Sequence, residues 1–267
     1  KSIIKLIAEQ SKSFKCQSIS RSNKFLGAGV ANTVIEGCLD LECKNKVAVR
    51  IMTISTNYKR VSNHPVTIEK EIYKISNKLV ESEKNPHALY CLKNLTCHYN
   101  SILENDPKLL KSIMEKDNIK RELNIMLLEL CPYGTIGDYI MEHTKKNHLI
   151  KPLIFQTILS LIICQYYIPG FKHNDLHSSN IILGNYNFEG EDKYLNEKKS
   201  LSVRNNNKYF IKYEILGKNF YVPYTGKCAK IFDYDVSCSQ KLKNDKLISD
   251  LYMENGVTHE KNPVFDL

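Results

Sequence analysis

The chain has 267 residues, of which 42% are hydrophobic, and it carries a formal net charge of +9. That length and hydrophobic content suffice for one large domain or for two lobes that share a cleft, and they exclude a disordered or fibrous chain. The lysines are dispersed among Asn, Asp and Glu and form no single basic stripe. We therefore expect a mildly basic surface that does not bind nucleic acid directly.

Nine cysteines are scattered along the chain without paired CxxC spacing. This pattern predicts reduced thiols in an intracellular protein, and it fits a structural zinc site poorly. The most apolar stretch, residues 149–168, includes several polar residues and ends before Pro169. It is too short and too polar for a comfortable membrane span, so we predict a core helix and no membrane association. Because the chain begins with Lys1 and not with Met, we expect a fragment of a longer protein.

The first half of the chain predicts strands, a helix and a hinge. Residues 25–54 alternate in the manner of strands separated by turns, which predicts an antiparallel meander. Apolar residues recur at helical spacing from Val66 to Leu79 and predict one amphipathic helix. The apolar run 125–130 predicts a buried strand, followed by a hinge at 131–134 and a short helix over 136–143.

The second half predicts a long helix and an inserted hairpin. Pro152 suits the first turn of a helix that ends before Pro169. The face that we predict to be buried consists of Ile154, Ile158, Leu161 and Ile162. A polar stretch follows at 185–208, and strand-like residues 209–222 then flank a turn at 217–219.

Residues 173–180, His-Asn-Asp-Leu-His-Ser-Ser-Asn, form the strongest local motif. Asp175 offers a carboxylate that can accept a hydroxyl proton, and Asn180 offers an amide oxygen for a magnesium ion. Asp233 follows a hydrophobic strand and is a second candidate metal ligand. The alternative is structural, since Asp and Asn often cap helices or form turns.

Two further motifs lie near the start of the chain. Gly27 and Gly29, with Val34 behind them, would allow backbone N–H groups to approach phosphates, although a glycine pair alone also fits a hairpin turn. The strand sequence Val-Ala-Val-Arg ends at Arg50, where a cation is needed next to phosphate. We predict that Arg50 pairs with Glu71 on the following helix, with Glu69 as the alternative.

In this order and spacing, the motifs resemble those of the protein kinase superfamily. More narrowly, they are similar to the haspin branch and to kinase-like proteins of large DNA viruses, on the strength of His177, the Asp233-Tyr234 pair and the segment 213–218. The resemblance covers roughly residues 22–267. It implies an α+β, bilobal fold. The expected parts are an N-terminal extension at 1–21, a sheet-rich small lobe at 22–130, and a helical lobe at 131–267, incomplete and with an insertion at 185–227.

The resemblance also implies a serine/threonine protein kinase that uses ATP and Mg²⁺. Asp175 would be the catalytic base, Arg50 and Glu71 the catalytic ion pair, and Asn180 and Asp233 the metal ligands. The expected nucleotide-binding residues are Gly27, Gly29, Val34, Ala48, Arg50, Leu128, Glu129 and Cys131. A protein substrate, a monomeric state and a location in the cytoplasm or nucleus, of a host cell if the protein is viral, complete these expectations.

Three positions depart from the kinase pattern: Arg50 replaces a lysine, Asn32 a glycine and Asp235 another glycine. They favour an alternative, a pseudokinase that binds nucleotide or a partner without turnover. A small-molecule phosphotransferase is a third hypothesis, because the loop 173–180 also resembles that of aminoglycoside kinases. The C-terminal residues 262–267 resemble the start of the helix whose buried Asp, here Asp266, braces this loop in kinases.

Overall fold

The computed structural model describes residues 3–21, 24–28, 32–54, 62–98, 100, 122–185, 210–215 and 217–248. The expectations for Gly29, for most of the polar stretch 185–208 and for the C-terminal segment with Asp266 lie outside these residues. Within them the chain is a mixed α+β structure, as predicted. The helices are α1 (Ile3–Ser11), α2 (Pro65–Glu81), α3 (Ile136–Glu142) and α4 (Asn147–Tyr167).

The main sheet has five strands in the order β1-β2-β3-β5-β4, and all neighbours are antiparallel. Its strands are β1 (Phe25–Ala28), β2 (Asn32–Cys38), β3 (Lys46–Ile54), β4 (Cys91–His98) and β5 (Glu122–Glu129). The predicted meander and the predicted buried strand are therefore confirmed. Two antiparallel pairs follow, formed by β6 (Ile181–Gly184) with β9 (Cys228–Ile231) and by β7 (Phe210–Ile215) with β8 (Lys218–Pro223).

The two faces of the main sheet pack against different parts of the chain. On β3, the alternate residues Val47, Val49 and Ile51 join an apolar cluster that Phe14 and Ile19 cover from the N-terminal segment. The residues between them face the other way, toward α2, because successive side chains of a strand point to opposite faces. This places Arg50 between the sheet and the helix.

The predicted amphipathic helix is confirmed as α2. His64 caps its N-terminus by accepting a hydrogen bond from the Val66 N–H, and Pro65 occupies the first helical turn, where no N–H is needed. Ile68 and Ile72 are buried against the sheet, in the cluster that also contains Leu128. The helix is thus held in register against the inner face of the sheet.

The predicted buried face of α4 is wrong for three of its four residues. Ile154, Ile158 and Ile162 are exposed, and only Leu161 is buried. Apolar residues occur on every side of this helix, so hydrophobic spacing could not identify the buried face. It begins at Asn147, and Pro152 therefore lies inside it.

Two polar side chains occupy the buried face of α4. Gln156 accepts a hydrogen bond from the Ala229 N–H at 2.8 Å, and Ser160 donates to the carbonyl oxygen of His87 at 3.1 Å. Both side chains are therefore hydrogen-bonded, so burial of these polar groups costs little. By length and composition α4 is apolar enough to cross a membrane, and in the described residues it is the one such helix. Contrary to our expectation, its sequence is not too short or too polar for that.

The predicted hairpin is confirmed as β7 and β8, with a shorter turn. Lys218 pairs with Ile215 and therefore belongs to β8, not to the turn. Tyr213 anchors the hairpin, because its hydroxyl donates to His87 Nε2 at 3.0 Å while His87 Nδ1 donates to the Ala229 carbonyl. Burial lowers the pKa of His87 to about 3, so this histidine is neutral.

The expectation of reduced thiols is wrong for four cysteines. Cys16 is bonded to Cys97, which joins the N-terminal segment to β4, and Cys38 is bonded to Cys43 across the turn between β2 and β3. Their spacing in sequence, 81 and 5 residues, gives no sign of either pairing. The five other cysteines are buried and form no disulfide.

We predict that reduction of Cys16–Cys97 lowers the free energy of unfolding by about 2 to 4 kcal/mol, because the bond restricts a long loop in the unfolded chain. Urea unfolding with and without dithiothreitol measures this. Cys97→Ser should unfold early under both conditions. Cys43→Ser is the control, since its short loop contributes less. Identical wild-type curves with and without reductant would show that the bond is not formed in solution.

Candidate functional site

The pairing of β6 with β9 brings the two candidate metal ligands together. Ile181 lies opposite Ile231 in this antiparallel pair. Asn180 directly precedes β6, and Asp233 follows β9 after one intervening residue, Phe232, whose N–H donates to the Asn180 carbonyl at 3.2 Å. Two residues 53 positions apart in sequence therefore lie at the same end of one strand pair.

The loop 173–180 holds Asp175 beside Asn180. Asn180 Nδ2 donates to the Asp175 carbonyl at 2.8 Å and to its carboxylate Oδ2 at 3.0 Å. This leaves Asn180 Oδ1 as the amide atom that can ligate a cation. The Asp175 side chain is 46% exposed, so its carboxylate is open to solvent and to an incoming hydroxyl. His177 Nε2 lies 3.7 Å from the same carboxylate, on the open side.

His173 anchors the loop 173–180 to the segment after β9. It is fully buried, and its Nε2 donates to the Phe232 carbonyl at 3.0 Å. Burial lowers its pKa, although the carboxylates of Asp233, Asp175 and Asp235 act in the opposite direction.

Arg50 forms a buried bridge between two carboxylates. One guanidinium nitrogen donates to Glu69 on α2, and the other donates to Asp233 Oδ1 at 2.7 Å. Arg50 is 3% exposed and Glu69 is fully buried, whereas the Asp233 side chain is 22% exposed. Burial lowers the pKa of Arg50, but Glu69 and Asp233 together raise it above its ordinary value, so the guanidinium stays charged.

The predicted pairing of Arg50 with Glu71 is wrong, and the alternative, Glu69, is correct. Glu71 is directed away from the sheet and pairs with Lys74 at 2.6 Å on the exposed side of α2. Glu69 shares the buried face with Ile72 and Tyr73, three and four positions further along the helix. Packing of α2 against the sheet therefore selects Glu69 as the partner of Arg50.

A column of rings links α2 to the loop 173–180. The Tyr73 and Tyr234 ring centroids are 5.0 Å apart, and the Tyr234 and His173 centroids are 5.4 Å apart. Tyr234 is fully buried and lies directly after Asp233. The Asp-Tyr segment is therefore packed inward, with Asp233 held in a left-handed backbone conformation at φ 66°.

Several predicted nucleotide-binding residues lie around the hinge. Ala48 on β3, together with Leu128 and Cys131 near the end of β5, contributes to one apolar cluster. Ile182, which we did not predict, packs against the same cluster from β6. These residues therefore form one apolar cluster next to the hinge 131–134.

Glu129, another predicted nucleotide-binding residue, is bound to Lys230 and Tyr90. Its carboxylate accepts from Lys230 Nζ at 2.7 Å and from the Tyr90 N–H at 2.8 Å, and its own N–H donates to the Tyr90 carbonyl. The Glu129 N–H is thus already used and does not serve an adenine edge. Lys230 is 2% exposed, and although burial lowers its pKa, Glu129 raises it above the ordinary value. We did not predict this second buried ion pair, between Lys230 and Glu129, from the sequence.

The glycine-containing strand leaves space for a ligand. Gly27 lies opposite Val34, and a Cβ atom added at Gly27 would meet nothing within 4 Å. Lys46, on the same face of β3 as Arg50, pairs with Glu36 at 2.8 Å. It therefore does not take the place of Arg50 beside Glu69 and Asp233.

The arrangement fits a divalent cation with a bound nucleotide. Asp233 and Asn180 offer oxygen ligands, which Mg²⁺ prefers, at the same end of the β6–β9 pair. Glu69 Oε2, on the other partner of Arg50, is buried and accepts no hydrogen bond from the described residues. Burial raises the pKa of Glu69 to about 7, only partly offset by Arg50.

No known protein-family profile matches the chain. The sequence is similar to two proteins of Acanthamoeba polyphaga mimivirus, both named "putative serine/threonine-protein kinase". The first is 23% identical over 224 residues, which are 77% of this chain and 44% of that protein. The second is 30% identical over 121 residues, which are 43% of this chain and 26% of that protein.

The fold and these similarities define a kinase-like protein. The relatives come from a large DNA virus, as the sequence motifs indicated. The matched regions span less than half the length of either relative. The narrower resemblance to the haspin branch stays a prediction, as do the domain boundaries at 21/22 and 130/131.

We predict that Glu69→Gln destabilises the fold by about 3 kcal/mol, because it leaves the buried Arg50 with one charged partner in place of two. Glu71→Gln is the matched control on the same helix, and it should leave the unfolding midpoint almost unchanged because its ion pair is exposed. Chemical unfolding of the two variants measures the difference. Equal losses would contradict the pairing of Arg50 with Glu69.

Proposed function

We propose that the protein is a serine/threonine protein kinase that transfers the terminal phosphate of Mg²⁺-bound ATP to a protein hydroxyl. The observation that carries this proposal is that Asp175, Asn180 and Asp233 lie at one end of the β6–β9 pair. Arg50 donates a hydrogen bond to Asp233 at the same place. Phosphoryl transfer depends chiefly on positioning and charge stabilisation, and these residues supply both.

Each residue has a defined part in this mechanism. Asp175 lies exposed at the mouth of the site, where its carboxylate can orient an acceptor hydroxyl and take its proton. Asn180 and Asp233 would hold the metal, which neutralises phosphate charge when it is bound. Arg50 presents a permanent cation that Glu69 anchors to α2.

The kinase-like relatives support phosphotransfer in general, and the protein acceptor is our extension of it. We further propose that the protein acts as a monomer in the cytoplasm or nucleus, without membrane or direct nucleic-acid binding. A small-molecule acceptor remains the alternative for the same loop chemistry.

A pseudokinase is the second candidate, favoured by one specific observation. Arg50 already holds Asp233 at 2.7 Å, so the residue proposed for the metal is engaged by a protein cation. In that case the protein would bind nucleotide without transferring phosphate.

We predict that Asp175→Asn lowers the rate of phosphate transfer by about 10²- to 10⁴-fold, because the base is lost while size is kept. The measurement is transfer of labelled phosphate from ATP to histone, casein, a basic peptide and an aminoglycoside.

Asp245→Asn, an exposed aspartate away from the motifs, is the matched control and should keep full activity. Labelling of Ser or Thr that disappears in Asp175→Asn supports the protein kinase. Transfer to the aminoglycoside alone favours the small-molecule enzyme. Nucleotide binding without any transfer favours the pseudokinase.

A further inference from the structure

Arg50 occupies two carboxylates at once, and one of them is the proposed metal ligand. Its guanidinium donates to Glu69 through one terminal nitrogen and to Asp233 Oδ1 through the other. The fork of the guanidinium permits this, because its nitrogens are fixed in a plane and point to separate acceptors. A lysine has a single nitrogen and would have to share it.

The cation is permanent and cannot move away easily. Arg50 is 3% exposed and is packed between β3 and α2, and its charge is retained at any pH at which the protein is folded. Asp233 is the more exposed partner, at 22%, and it is the one that a metal would approach.

The two cations therefore compete for the same oxygen. A Mg²⁺ ion binds carboxylate oxygen at about 2.1 Å, whereas the Arg50 nitrogen already lies 2.7 Å from Asp233 Oδ1. A divalent ion on this oxygen would be next to a fixed positive charge, and like charges at such separations repel strongly where solvent is partly excluded. Metal binding requires either the other carboxylate oxygen or opening of the ion pair.

We propose that Arg50 is a built-in competitor of the divalent ion for Asp233 and so sets the metal affinity of this site. The inference rests on the proposed function, since it concerns the metal site of that mechanism. Its consequence is that the nucleotide-free protein binds divalent ions weakly. The negatively charged phosphates of a nucleotide would attract both Arg50 and the metal. Their competition for Asp233 would then be weaker.

The test is Mn²⁺ binding to the whole protein, measured by electron paramagnetic resonance of free Mn²⁺, with no nucleotide present and then with a non-hydrolysable ATP analogue. Arg50→Lys should bind Mn²⁺ about tenfold more tightly than the wild type without nucleotide, because one ammonium does not hold both carboxylates. With the analogue present, the difference should shrink. Asp233→Asn should lose Mn²⁺ binding at this site, both without nucleotide and with the ATP analogue.

Two controls separate competition from general effects of charge and folding. Lys46→Ala removes a cation from the same strand that pairs with Glu36 and not with Asp233, so it should leave Mn²⁺ affinity unchanged. Should Arg50→Lys prove unfolded by circular dichroism, Arg50→Met with Glu69→Gln removes the competitor without leaving an unpaired buried charge. That double variant should bind Mn²⁺ at least as tightly as predicted for Arg50→Lys.

The outcomes distinguish this inference from the proposed function. Equal Mn²⁺ affinity of the wild type and the folded Arg50 variant, with binding lost in Asp233→Asn, would overturn the competition and leave the kinase proposal standing. An equal rise in Lys46→Ala would also overturn it, as an effect of net charge. If neither the wild type nor any variant binds Mn²⁺, even with the ATP analogue, both the competition and the kinase proposal are overturned.

Discussion

The buried guanidinium of Arg50 is the interaction on which the arrangement of the site depends. It connects β3 to α2 through Glu69 and to the segment after β9 through Asp233. Removing these charges from water costs free energy, and the cost is offset only because each group has a partner of opposite sign. The result is that the sheet, the helix α2 and the segment after β9 are held together by one charged side chain. The ring column from Tyr73 through Tyr234 to His173 runs beside this bridge and couples the same elements by packing.

A second buried cation, Lys230, plays a similar part at the hinge. It joins β9 to the end of β5 through Glu129, whose carboxylate also accepts from the Tyr90 N–H. The loop after α2 pairs with β9 as well, since the Leu89 N–H donates to the Ile231 carbonyl and the Ile231 N–H donates to the His87 carbonyl. The strand β9 is therefore joined to β5 and to the loop after α2 by an ion pair and backbone hydrogen bonds as well as by apolar contact.

The similarity to the mimivirus proteins and the structure support the same general conclusion from different directions. The similarity is low and covers less than half of each relative, so it indicates a kinase-like chain without assigning a substrate. The geometry adds which residues meet, and it adds a feature that the motifs alone did not suggest, the contact between Arg50 and Asp233. The departure from lysine at this position is thus more than a conservative exchange, because a fork can bind two acids where an ammonium serves one.

The sequence by itself determined the strands within 25–54, the strand β5, the helix α2, the hairpin and the candidate residues Asp175, Asn180 and Asp233. These features depend on local periodicity or on motifs within a few residues, and such signals do not need the rest of the fold. The sequence did not predict β4.

Only the tertiary structure decided which helix acid meets Arg50, which side of α4 is buried and which cysteines are bonded. Glu69 and Glu71 are two residues apart, so the choice depends on how α2 is rotated against the sheet. On α4 the polar Gln156 and Ser160 can be buried because each is hydrogen-bonded to a backbone group of a distant segment. Contacts between residues far apart in sequence arise from packing of whole elements, and no local pattern encodes them.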